Sequence, residues 1–215
     1  MTHKEKFIEL LTKAAKGANY YNVFNDFLKV AATSLARFDE SNLDVWQERE
    51  KIFKDTLERY DVDTQKLFVE MFAELGLELN DNSQSPRYRD VLGGIFQGME
   101  LYDRKNGQVF TPPHIGKLMG DIAMDKDFIQ SEIEKNGYLR IVEPCCGSGA
   151  ITLNALNTIL ESGVNPCKHC FVEAYDMDER CILMIFIQLS LYRIPAIVML
   201  KDAITQKVVS AAWRT

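Results

Sequence analysis

Through the first 80 residues an apolar side chain returns every three to four positions. Phe7, Ile8, Leu10 and Leu11 form one face, and Val23, Phe24, Phe27, Leu28, Ala31 and Leu35 a second. Trp46, Ile52, Phe53, Leu57 and Tyr60 form a third, and Leu67, Phe68, Met71, Phe72 and Leu75 a fourth. This period predicts helices, the last of them stopped at Gly76. The polar run Asn80-Asp81-Asn82-Ser83-Gln84-Ser85-Pro86 reads as a linker. It divides an α-helical N-terminal region, 1–85, from a second domain, 86–215.

Beyond the linker the pattern changes. Residues 87–101 read as a helix despite Gly93, Gly94 and Gly98, and 103–111 as a loop. Pro112 and Pro113 suit the first turn of a helix reaching about 124. Another helix, 127–135, ends at Asn136-Gly137. Strands at 138–142, 169–175 and 196–200 then alternate with helices at 150–161 and 178–192. Such alternation predicts a parallel, doubly wound sheet, here of about three strands. The expected fold class is α/β, an N-terminal α-helical bundle followed by a partial Rossmann-like domain.

Composition narrows the function. The 215 residues are 47% hydrophobic and 26% charged, which are globular proportions. The net charge of −6 excludes a general electrostatic grip on nucleic acid, while leaving room for an enzyme that meets it in one groove. Lys4, Glu5, Lys6 and Glu9 interrupt the N-terminus, so no signal peptide is read. The longest apolar run, 181–187, is too short to span a membrane. The chain therefore reads as cytoplasmic, without a membrane partner. Five cysteines without a secretory context read as reduced thiols. Cys167-Lys168-His169-Cys170 lacks a second ligand pair, since Cys145, Cys146 and His114 belong to other segments, so no metal is expected. Arg87, Arg89, Arg104 and Lys105 form the one compact basic group, either a phosphate contact or a solvated surface.

The most informative stretch is Ile141-Val142-Glu143-Pro144-Cys145-Cys146-Gly147-Ser148-Gly149-Ala150. A strand ends at an acid, turns through two glycines and enters a helix. Ligands of open α/β sheets bind at such strand ends. The turn alone also suits a tight strand–helix connection. The next strand ends at Val172-Glu173-Ala174-Tyr175-Asp176-Met177-Asp178. An acid there accepts hydrogen bonds from ribose hydroxyls, and Asp178 suits a helix N-cap. The third strand ends at Lys201-Asp202-Ala203, adding a carboxylate to the same edge.

Glu143-Pro144-Cys145-Cys146-Gly147-Ser148-Gly149-Ala150 resembles the S-adenosyl-L-methionine (AdoMet) motif of N-6 adenine-specific DNA methylases. Gly107-Gln108-Val109-Phe110-Thr111-Pro112-Pro113 resembles the G-Q-x-F-T-P segment that precedes it in methylation subunits of type I restriction–modification systems. Asp90-Val91-Leu92-Gly93-Gly94-Ile95-Phe96 resembles the family's D-x-L-G-x-x-(aromatic) helix. The likeness covers roughly residues 87–205. It implies a class I AdoMet-dependent methyltransferase domain, with methyl transfer to adenine N6 in DNA. AdoMet is the implied cofactor and DNA the implied partner. The implied cofactor contacts are Gln108, Phe110, Thr111 and Pro112 closing from one side. Glu143, Pro144, Cys145, Gly147, Ser148 and Gly149 supply the turn. Asp176 takes the ribose, Met177 the adenine face, and Asp202 with Ala203 the adenine amine.

The sequence departs from the family in its catalytic motif, and it shows no specificity module that would read a DNA site. The catalytic N-P-P-(aromatic) or D-P-P-(aromatic) motif is missing, and the single Pro-Pro, Pro112-Pro113, belongs to the earlier segment. Catalytic residues are therefore unassigned. The chain reads as a fragment, or as a short methylase-like protein. The rival to an enzyme is a catalytically silent AdoMet-binding or assembly protein whose partner supplies the motif. A dinucleotide-binding Rossmann protein would want a third glycine where Thr152 stands. In the family's strand order the first strand lacks a neighbour here. Its open edge is expected to be covered by the N-terminal helices, a homodimer or a partner subunit.

Overall fold

The computed structural model describes residues 1–36, 42–81, 83–101 and 113–215. Helices α1 (His3–Ala15), α2 (Tyr20–Ala36), α3 (Leu43–Leu57) and α4 (Val62–Asn80) realise the four apolar faces. Thr2 and Glu5 form a capping box on α1, and Asn42 and Asp61 cap α3 and α4. Gly76 does not stop α4, which runs to Asn80. Leu75, Glu78 and Leu79 are buried, and that packing outweighs the roughly 1 kcal/mol a helical glycine costs.

Residues 87–90 are not helical, contrary to the periodicity. Helix α5 (Val91–Gly98) starts only after its N-cap, Asp90. The Asn157 side chain accepts the Tyr88 amide at 2.8 Å and donates to its carbonyl at 2.7 Å. The Tyr192 hydroxyl likewise serves both backbone groups of Arg89. Backbone groups satisfied this way need no helix. Helices α6 (Pro113–Ala123) and α7 (Lys126–Asn136) lie close to their expected places.

The sheet then forms from β1 (Leu139–Pro144), β2 (Cys170–Asp176) and β3 (Ala196–Leu200), parallel and in that order. Crossovers α8 (Ala150–Glu161) and α10 (Glu179–Leu191) join them, with α9 (Pro166–His169) leading into β2. Burial is one-sided. Leu139, Ile141, Val172, Ala174, Ala196 and Val198 are buried, whereas Arg140, Val142, Phe171, Ile197 and Met199 are wholly or partly exposed. Among the described residues the sheet is therefore covered mainly on one face.

A strand absent from the sequence reading, β4 (Trp213–Arg214), pairs antiparallel with β3. After β3 the chain turns back instead of crossing over. The Trp213 ring packs on Phe186 at 5.2 Å and lies under the Arg49 guanidinium at 4.3 Å. Arg49 also donates to the Ala212 carbonyl at 2.8 Å, fastening α3 to this strand. The outer edge of β1 has no strand partner among the described residues. Helix α10 is buried without interruption from Cys181 to Leu189. It lies between the sheet and helices α2, α4 and α5, and every residue of that stretch but Gln188 is apolar. One hydrophobic core runs from Phe7 to Trp213. No helix among the described residues is long and apolar enough to cross a membrane.

Candidate functional site

The glycine turn sits at the carboxyl end of β1. The chain bends at Cys145 (φ 66°) and passes through Gly147 (φ 54°) and Gly149 (φ 100°) into α8. A Cβ on Gly149 would lie 2.8 Å from Ile185 Cγ1, so neither its torsion nor its space admits a side chain. As the N-cap of α8, Gly149 offers no capping group. Glu143 supplies one from the end of β1. Its Oε2 accepts the Thr152 amide at 3.0 Å and also the Thr152 hydroxyl. One orphan donor of the helix is satisfied in this way. Burial pushes the Glu143 carboxyl up to about 7. The Thr152 hydrogen bonds oppose that shift, and the charges of Asp176 and Asp90 add to it.

Asp176 ends β2 beside this turn. Its Oδ2 accepts the Gly147 amide at 2.8 Å and its Oδ1 the Asp178 amide at 2.9 Å. Asp178 caps α10 through the Arg180 amide, 2.9 Å away, and pairs with the Arg180 side chain. Exposed Met177 and Cys145 lie on the same edge. The end of β3 joins through its backbone, the Lys201 amide donating to the Asp176 carbonyl at 2.9 Å. The Asp202 carboxylate turns to its own loop. It accepts the Ile204 and Thr205 amides and the Thr205 hydroxyl, which holds its pKa below the ordinary range. Ala203 lies within that turn.

Gln108, Phe110, Thr111 and Pro112 lie outside the described residues, as do Arg104 and Lys105. Ser148 is buried, and its hydroxyl donates to Asp90 at 2.5 Å. Asp90 was not among the sequence-derived site residues, although the D-x-L-G segment pointed to its helix. Arg89 is no phosphate contact. It is largely buried and paired with Glu78 at 2.9 Å. Arg87 donates to the Leu79 carbonyl and stacks near Tyr88 and Tyr192. Cys170 is buried, which pushes its thiol up to about 12.

The hydrogen bonding selects a class of ligand. Dinucleotide sites hold a pyrophosphate on the free amides at a helix N-terminus. Here a carboxylate already occupies the Gly147 amide in the turn and another the Thr152 amide in the first turn of α8. An anion placed there meets Glu143 and Asp176 together. The same carboxylates favour a cationic group, and each oxygen of Asp176 keeps lone-pair capacity for ligand hydroxyls. A glycine turn, strand-end acids and an exposed methionine thus fit a cationic nucleoside such as AdoMet.

No family model matches the chain, and no curated protein does. Among solved structures, the chain is similar to a putative class I S-adenosylmethionine-dependent methyltransferase from Listeria monocytogenes. The identity is 15% and the TM-score 0.41, over 91% of this chain and 52% of that one. The chain thus spans about half the length of that protein, and a likeness this distant carries no argument about function.

Proposed function

We propose that this chain binds AdoMet at the carboxyl edge of its sheet and serves methyl transfer to adenine N6 in DNA. The observation that carries the cofactor reading is the occupation of the Gly147 and Thr152 amides by Asp176 and Glu143. It disfavours a pyrophosphate and favours a cation. When bound, AdoMet supplies an electrophilic methyl group on a sulfonium. This chain's own part is to hold the ribose hydroxyls at Asp176, to pack the base against Met177 and to offer negative charge beside the turn. The adenine acceptor rests on the motif resemblance.

The second reading is an AdoMet-binding assembly protein. It is favoured by the return of the chain into antiparallel β4, which leaves the outer edge of β1 without a strand among the described residues. The groups that hold the target base would then come from a second chain along that edge, a copy of this one or a partner subunit.

The test is transfer of radiolabelled methyl from AdoMet into duplex DNA. Little or no label is expected with this chain alone, and label at adenine N6 once a chain carrying N-P-P-(aromatic) is added. Robust adenine methylation by this chain alone would show that its own residues replace the motif. Label at cytosine would remove the adenine assignment.

A further inference from the structure

Asp90 caps α5, outside the strand ends, yet it reaches the glycine turn. Its Oδ1 accepts the Gly93 amide at 2.9 Å, an ordinary N-cap bond. Its Oδ2 takes the Ser148 hydroxyl, in the middle of the turn, at 2.5 Å. Gln188 of α10 completes the link. Its Nε2 donates to Asp90 Oδ1 at 3.1 Å and to the Ser148 carbonyl at 2.9 Å, and its Oε1 accepts the Leu92 amide at 3.1 Å. Ser148 and Gln188 are 1% and 0% exposed, so neither bond competes with solvent.

Gly93 shows how closely the two segments fit. A Cβ there would collide with both Asp90 Oδ2 and Ser148 Oγ, the two atoms of the hydrogen bond. The glycine three residues after Asp90 is therefore required by the bond itself. The D-x-L-G segment and the G-S-G turn are one unit, although 58 residues separate Asp90 from Ser148.

We propose that Asp90 is a positioning residue for the cofactor site, holding the 147–149 turn in its ligand-ready form through Ser148 and Gln188. The proposal rests on the AdoMet reading above. Gly147 cannot shift without breaking its bond to Asp176, so the Asp90 bond to Ser148 fixes the ribose-facing carboxylate as well. Ser148 then acts by anchoring the turn rather than by touching the cofactor with its hydroxyl.

The test measures two properties of the full chain: S-adenosylhomocysteine affinity and amide exchange across 146–150. Both are read in the wild type, Asp90→Asn, Ser148→Ala and the double variant, each confirmed folded by circular dichroism. Each single variant is expected to bind about tenfold more weakly and to exchange faster across the turn. The double variant should be no worse than the weaker single one, because Asp90→Asn withdraws the charged acceptor and Ser148→Ala the hydroxyl of one and the same contact. Unchanged affinity in folded single variants, or losses that add, would overturn the proposal, since a merely structural role lowers melting temperature without that pattern. If Asp90→Asn does not fold, Ser148→Ala carries the test alone. If the wild type binds no S-adenosylhomocysteine, the AdoMet reading falls. The positioning claim is then judged by exchange: faster in the variants sustains it, unchanged overturns it.

Discussion

Asp176 Oδ2 accepts the Gly147 amide at 2.8 Å, tying the end of β2 to the turn that follows β1. The two residues are 29 apart in sequence. The bond holds the acid at the end of β2 beside the glycine turn, where the proposed cofactor would lie. Asp176→Ala removes both the proposed ribose acceptor and this tie. Hydrogen bonds to a charged acceptor are worth roughly 1.5–3 kcal/mol each, so AdoMet affinity should fall at least tenfold. Asp176→Asn, which keeps one acceptor oxygen, should lose less. Titration calorimetry on the folded variants checks the order, and unchanged affinity in Asp176→Ala removes the residue from the site.

Glu143 gives the fold a pH dependence. The unfolded chain releases this proton near the ordinary value of 4.5, the folded chain near 7. Between those values the folded state binds more protons, so this contribution is most favourable below about 4.5 and is lost as pH rises toward 7. The loss is on the order of 2–3 kcal/mol. Urea denaturation at pH 5 and pH 7 should show that decline in the wild type and a flatter profile in Glu143→Gln. Equal slopes in the two proteins would contradict it.

Gly149→Ala should destabilise the chain by about 1–3 kcal/mol, through its positive φ and the contact with Ile185. Ile185→Val in the same chain removes Cδ1 but keeps a γ carbon, so it should recover only part: the torsional cost and some of the contact remain. Complete recovery would mean that φ is not the constraint.

Arg49→Ala should loosen the junction between α3 and β4. It removes a buried stack on Trp213 and a bond to the Ala212 carbonyl, together roughly 1–3 kcal/mol. Chemical denaturation gives the loss, and a fall in protection of the Trp213 amide against exchange locates it. Stability unchanged from the wild type would separate α3 from the strand.

The helices of the first 80 residues were legible because their apolar stripes face the core, largely in α1, α2 and α4 and partly in α3, and the period records them. Gly76 misled because a local propensity is small against the burial of Leu75 and Leu79. Residues 87–90 misled because the partners of their backbone, Asn157 and Tyr192, are remote in sequence. Strand β4 is two residues long and carries no alternation to detect. In the site, the glycine turn and Asp176 could be read from the order of strand, turn and helix. The capping role of Glu143 and the reach of Asp90 to Ser148 could not, since both depend on side-chain direction across elements.

Calorimetry of the chain with AdoMet, S-adenosylhomocysteine and NAD separates an AdoMet-type nucleoside from a dinucleotide at this edge. Saturable binding of AdoMet and S-adenosylhomocysteine is expected, with none of NAD at the same concentrations. Binding of NAD with no heat from AdoMet would overturn the assignment.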